Sequence, residues 1–249
     1  MDVFPYLKKL TVLREEIEDS DIYPFNIPAL KNCDTLDFNS EVTFFVGENG
    51  TGKSTLIEAI AVALGFNPEG GSKNFNFETH DSHSSLYKHI RLSKSYIKPK
   101  DSFFLRAESY FNVASNIEAL DNEWAPAPPI IDSYDGVSLH EQSHGESFLA
   151  LMLNRFGGKG IYILDEPESA ISPMRQLAVL SRMKQLVDDS SQFIVATHSP
   201  ILLAYPGAEI YQLSESGVNK VCYQDTEHYQ VTKLFLDNPE RMLSEIFSD

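Results

Sequence analysis

The chain of 249 residues is long enough for one large domain with its own core. Its hydrophobic fraction of 42% is that of a globular protein, and its net charge of −16 argues against a broad, sequence-independent wrap around nucleic acid by a lone subunit. No run of about 18 apolar residues exists for a membrane-spanning helix, and the start MDVFPYLKKLTVLREEIEDSD lacks the apolar core of a signal peptide. Cys33 and Cys222 show no metal-type spacing, so they are read as plain residues of a reducing, cytoplasmic compartment.

In chain order, 41–46 (EVTFFV) is a continuous apolar, β-branched and aromatic run, the signature of a buried strand. A glycine-rich turn follows, and 55–64 (TLIEAIAVAL) has apolar residues at helical spacing with Gly65 as its stop. Residues 67–82 are polar and glycine-containing and read as a loop. The stretch 88–100 (KHIRLSKSYIKPK) breaks the acidic trend with Lys88, Arg91, Lys94, Lys98 and Lys100. It reads as a solvated helix face or loop, with docking of a polyanion such as nucleic acid, or of an acidic partner, as the sharper alternative. Residues 102–108 (SFFLRAE) read as a strand and 109–120 as a helix. The proline-rich 121–136 is an irregular connection. After QSHGES (142–147), the segment FLALMLNRF reads as a helix ended by Gly157 and Gly158. Residues 160–164 (GIYIL) and 192–196 (QFIVA) are further buried strands around a helix over 174–187. Strands are expected over 208–213 and 219–224, and 231–247 ends in helix, with Pro239 opening a second helical segment.

Strands that are apolar throughout and alternate with helices imply a largely parallel sheet covered on both faces. The expected class is α/β, a P-loop fold with some antiparallel strands. A helical lobe over 109–157 interrupts a larger lobe made of 1–108 and 158–249.

Two segments carry chemistry. Residues 47–54, GENGTGKS, match the full G-x-x-x-x-G-K-[ST] pattern between an expected strand and an expected helix. Glycines let successive N–H groups turn inward onto phosphate oxygens, and the helix adds its positive end. Glu48, Asn49, Gly50, Thr51, Gly52, Lys53, Ser54 and Thr55 are therefore the expected nucleotide contacts. Lys53 would reach the terminal phosphates and Ser54 would ligate Mg²⁺. The second segment, ILDEPES (163–169), ends an apolar strand in Asp165, a metal ligand by position, and Glu166, a carboxylate placed to polarise a water for attack on a γ-phosphate. The strand 192–196 runs into Thr197, His198 and Ser199, which would project at the same carboxyl edge.

The phosphate loop, QSHGES, ILDEPES and ATHSP (196–200) stand in an order that resembles the ABC-type ATPases. That resemblance makes QSHGES an altered signature motif, 165–172 a Walker B end with its catalytic glutamate and D-loop, and His198 the switch histidine. Ser143 and Gly145 are kept, while His144 and Glu146 replace the usual Gly and Gln, and the D-loop reads Ser169-Ala170-Ile171-Ser172 without its acid. Glu108 is the nearest polar candidate for the Q-loop. Tyr23 and Phe25 lie upstream at a distance suited to adenine, with core packing as the expected role. The departures are similar to the RecF-like, SMC-like and small bacterial "AAA family" ATPases, which act in DNA repair, chromosome maintenance or phage defence. What the resemblance implies is an ATP- and Mg²⁺-dependent homodimer. Ser143, Gly145 and Glu146 of one subunit would meet the ATP held by the other, with Glu166 and His198 catalytic and Ser54 and Asp165 on the metal. The rival readings are a slow regulatory module gating a partner nuclease or toxin, and a transporter nucleotide-binding subunit. A Ser-His hydrolase built on Ser143 and His144 is poor, because adjacent residues point apart. His80, His83 and His89 fit no common metal spacing and read as polar loop residues.

Overall fold

The computed structural model describes residues 5–73, 84–106 and 148–248. Its centre is a six-stranded sheet in the order β5-β6-β7-β3-β8-β9. The strands are β3 (Val42–Val46), β5 (Asp101–Arg106), β6 (Gly160–Asp165), β7 (Gln192–Ala196), β8 (Glu209–Ser214) and β9 (Gly217–Val221). All neighbours are parallel except β8 and β9, which form a hairpin. The α/β fold expected from the alternating apolar strands is the fold observed.

The two-residue period of the strands sorts their side chains onto two faces. Phe44, Phe103, Leu105, Tyr162, Leu164, Phe193 and Val195 point to one face. There they meet helix α3 (Pro173–Asp188), the short helix α4 (Pro200–Leu203) and Phe148, Leu151, Met152 and Phe156. Phe45, Phe104, Ile161, Ile163, Ile194 and Ala196 point to the other. They are covered by helix α2 (Lys53–Ala63) and by the short helix α1 (Pro28–Lys31) with Leu7, Leu10, Leu36 and Phe38. Both faces are apolar, which is why these strands read as unbroken hydrophobic runs.

The N-terminal layer was not visible in the sequence pattern. Strands β1 (Leu7–Val12), β2 (Thr35–Asp37) and β4 (Ile90–Lys94) form an antiparallel sheet in the order β2-β1-β4. The basic stretch is therefore neither a helix face nor a plain loop. It spans the end of a 3₁₀ turn, edge strand β4 and the connection to β5, with Lys88, Arg91, Lys94, Lys98 and Lys100 exposed. Charged side chains on an edge strand oppose edge-to-edge pairing.

Three boundaries differ from expectation. FLALMLNRF is helical only over 148–150 before it widens to a π turn, Leu151–Arg155. Arg182 of α3 draws the carbonyls of Met152 (3.1 Å), Leu153 (3.2 Å) and Phe156 (2.7 Å) toward its guanidinium, which satisfies them outside an α-helical ladder. The expected strand over 219–224 starts earlier and ends at Val221, because the hairpin pairs Ser214 with Gly217. The C-terminal helix starts at 227, capped by the Thr226 hydroxyl, giving α5 (Glu227–Asp237) and α6 (Pro239–Ile246). Of the expected helical lobe, 109–147 lies outside the described residues. Among the described residues, no helix is long and apolar enough to cross a membrane.

Candidate functional site

Parallel register sets one row across four strands: Arg106 pairs with Asp165, Asp165 with Ala196, and Ala196 with Phe45. One residue beyond that row stands Glu166, and two beyond it stand Gly47 and His198, at the carboxyl edge where open α/β sheets bind ligands.

The phosphate loop leaves β3 at Gly47. A Cβ there would lie 2.5 Å from the Leu213 carbonyl oxygen, and φ is +152°, so only glycine fits without strain. Gly50 and Gly52 are left-handed, at φ +82° and +96°. Thr51 closes the loop, its N–H and its hydroxyl both donating to the Glu48 carbonyl (3.3 and 2.8 Å). Gly52 supplies no side-chain cap, so the first N–H groups of α2 stay turned toward the loop as an anion site. Lys53, only 4% exposed, donates to the carbonyls of Gly47 (2.8 Å) and Glu48 (2.9 Å). Burial pulls its pKa down, while Glu166, Asp165 and Glu168 push it back up.

Ser54 Oγ lies 3.2 Å from Asp165 Oδ1. Two oxygens that share an Mg²⁺ octahedron with bonds of about 2.1 Å stand about 3 Å apart, so this hydroxyl and carboxylate fit that hard cation. Asp165 is 6% exposed, and its second oxygen lies 3.9 Å from Arg106 Nε. Arg106 is anchored by Glu58 of α2 at 2.7 Å. The other oxygen of Glu58 accepts the Ser84 N–H at 2.9 Å. Glu58 is one helical turn beyond Ser54, so the same helix that presents the hydroxyl holds the guanidinium beside the carboxylate.

Glu166 is left-handed, with φ 51° and ψ 52°. A non-glycine residue held there costs about 1–3 kcal/mol and needs its surroundings to hold it. Here the Glu166 N–H donates to Ala196 O at 3.0 Å and Pro167 follows. The turn leaves the Glu166 carboxylate 39% exposed, 3.6 Å from His198 Nε2. It also swings Glu168 under the neighbouring strand, where Oε1 accepts the His198 N–H at 2.5 Å. Burial raises the Glu168 pKa, against the lowering pull of hydrogen bonds from His198 and Thr197. His198 Nδ1 lies 2.9 Å from His228 Nε2 on α5. Burial first, then Lys53 and His228, lower the pKa of His198, with Glu166 acting the other way. Burial and Lys53 likewise lower that of His228.

The loop residues, Asp165, Glu166 and His198 thus meet at one edge. Glu48 and Asn49 line a cleft of about 530 Å³ together with His198, His228 and Thr232. The Thr55 hydroxyl lies 3.2 Å from the Tyr23 phenol, and Tyr23 is 60% exposed, so core packing is not its role. Phe25 is buried and meets the His89 ring edge-on at 5.0 Å. Ser143, Gly145, Glu146, Glu108, His80 and His83 lie outside the described residues. Arg106, Glu58, Glu168 and His228 were not singled out from the sequence. Glu168 stands in the DEPES run, but the other three reach the site only through folding.

An AAA domain family matches residues 24–123, a span that holds the phosphate loop. The nisin transport ATP-binding protein NisT of Lactococcus lactis is 25% identical over 234 residues, covering 78% of this chain and 38% of that protein. An uncharacterized ABC transporter ATP-binding protein of Haemophilus influenzae is 26% identical over 196 residues, covering 73% of this chain and 72% of the other. The chain thus spans well under half the length of the first of these relatives. Among solved structures, MJ1267, an ATP-binding cassette of an ABC transporter, superposes with a TM-score of 0.51 at 16% identity, covering 95% of this chain and 97% of that one. The chain thus has the fold of such ATP-binding cassettes, with a complete phosphate loop on its strand–helix junction, and is similar in sequence to ATP-binding proteins of the ABC type.

Proposed function

We propose that the chain binds ATP with Mg²⁺ and hydrolyses it in a homodimer that sandwiches two nucleotides. The observation that carries this reading is the convergence of Lys53, Ser54, Asp165, Glu166 and His198 at one sheet edge. The loop amides from Glu48 to Thr55 and the α2 N-terminus hold the phosphates, with the Lys53 ammonium on the terminal ones. Ser54 Oγ and Asp165 would hold Mg²⁺, which would supply charge neutralisation for the phosphates. Glu166 accepts a proton from the attacking water, and the His198 Nε2–H donates to the γ-phosphate. Ser143, Gly145 and Glu146 of the second subunit close the site, which makes 109–157 a helical lobe and 1–108 with 158–249 the nucleotide-binding lobe of one domain.

The work coupled to this cycle is, in our reading, DNA maintenance or phage defence in the cytoplasm. It is supported by the altered signature, the D-loop without its acid and the exposed basic strand β4. A second reading, a transporter's nucleotide-binding subunit, is favoured by what the two relatives are named for. One experiment addresses both. Glu166→Gln protein given MgATP should keep nucleotide binding, lose phosphate release and accumulate as a dimer on size-exclusion chromatography. That trapped dimer should retain duplex DNA on a filter at low salt and release it at high salt. Normal turnover by the variant contradicts the catalytic assignment, and a trapped dimer that ignores DNA at both salts contradicts the coupling to DNA.

A further inference from the structure

His228 lies outside every motif of the chain, yet it sits against the residue that faces the reacting phosphate in the reading above. It is the second residue of α5, and the start of that helix is tightly fixed. The Thr226 side chain, fully buried, caps Tyr229 N at 3.3 Å and donates to Tyr223 O at 2.7 Å. The Tyr223 hydroxyl donates to Pro200 O at 2.9 Å, tying the same turn to the segment just after His198. The Tyr223 and Tyr229 rings pack at a 59° tilt, 4.7 Å between centroids. The 2.9 Å contact between His228 Nε2 and His198 Nδ1 therefore joins two anchored elements.

Only one arrangement of protons suits that contact. His198 Nε2 is buried with no hydrogen-bond partner among the described residues, and what it faces is the Glu166 carboxylate at 3.6 Å. A bare lone pair there would oppose a carboxylate now and phosphate oxygens later, so Nε2 must carry the hydrogen. With His198 neutral, Nδ1 is then an acceptor, and its donor is the Nε2–H of His228. The ionisable groups around the pair are Lys53 of α2, Glu166 and Glu168 after β6, and Glu227 of α5. Burial first, and then Lys53, disfavour positive charge on either ring, which favours neutral imidazoles and the donor–acceptor order above.

We infer that His228 is a positioning residue for ATP hydrolysis: it fixes His198 as the Nε2–H tautomer and aims that hydrogen at the γ-phosphate. The inference rests on the proposed catalytic role of His198, and it adds a requirement that α5 be seated on the nucleotide site. Because α5 has no buried residue of its own and Val231, Leu234 and Leu236 are 51–70% exposed, the helix is held mainly through its first turn. His228 is thus the link between a weakly packed helix and the reacting centre.

The test combines tautomer and turnover. In nucleotide-free protein, ¹⁵N spectra of His198 should show a protonated Nε2 and an unprotonated Nδ1. In His228→Leu the two tautomers should mix, while His228→Gln, whose amide can donate to Nδ1, should restore the wild-type form. In steady state, His228→Leu should lower kcat about tenfold with KM for ATP within about twofold, and His228→Gln should recover most of it. An Nδ1–H tautomer in the wild type overturns the proposal. So does a tautomer that ignores the Leu substitution, or a shifted tautomer with unchanged kcat. Turnover that survives Glu166→Gln would sink the hydrolysis mechanism instead, and it would leave the tautomer result standing.

Discussion

Glu166 and Arg106 show two ways in which a side chain serves this site. Glu166 adopts a left-handed backbone beside a proline, held by its bond to Ala196, and that strained turn aims its carboxylate outward while Glu168 turns inward. Arg106 works from behind: it is clamped to Glu58 at 2.7 Å, with side-chain exposures of 18% and 10%, and stands next to Asp165. Removing one partner of such a pair leaves a buried charge without compensation. Arg106→Ala should therefore lower the stability to urea by about 3 kcal/mol, and a loss under about 1 kcal/mol would show that Arg106 is dispensable to the fold. Glycines, lysine and hydroxyl of the phosphate loop were legible in the sequence because their chemistry is contiguous. Arg106 was not. The run SFFLRAE reads as a strand with Glu108 as its nearest polar candidate, and only the β5–β6 register shows that Arg106 is the residue paired with Asp165.

At the scale of elements, Asp101 at the head of β5 is the clearest joint. Its carboxylate takes the Tyr162 hydroxyl (2.8 Å) from β6, the Arg155 guanidinium (2.9 Å) and the Gly157 N–H (3.0 Å). Burial alone would raise its pKa, but the Gly157 and Arg155 contacts outweigh it and hold the carboxyl below its usual value. A depressed carboxyl stabilises the fold above its unfolded value of about 3.9 and loses that contribution as pH falls through the folded value. The stability gap between the wild type and Asp101→Asn should thus be widest near neutrality and narrow between about pH 5 and 2. A gap independent of pH would show that Asp101 acts through packing alone. The central strands were readable as elements because both their faces are buried, which leaves an unbroken apolar run. The β2-β1-β4 sheet escaped because one face is wet: LKKLTV shows only Leu7 and Leu10 fully buried, and β2 has three residues. On β4 the basic side chains masked the strand.

For the whole molecule, the site described in one chain is half of the proposed machine. The phosphate loop, Asp165, Glu166 and His198 lie together at one edge, whereas Ser143 and Gly145 are assigned to the nucleotide of a second copy. The net charge of −16 with a basic strand on the N-terminal sheet gives such a dimer a sharply uneven field. The sequence revealed the order of the motifs, and with it the fold class, because each motif is short and local. It did not reveal His228, because a histidine in the run EHYQV has no signal until α5 folds back onto His198. The most direct measurement is complementation of ATP turnover. Lys53→Ala and Ser143→Arg proteins should each release almost no phosphate alone. Mixed in equal amounts, they should regain up to about a quarter of wild-type turnover, because half the dimers then carry one intact composite site. Failure of the mixture to regain activity, or full turnover by either variant alone, would contradict the shared ATP site.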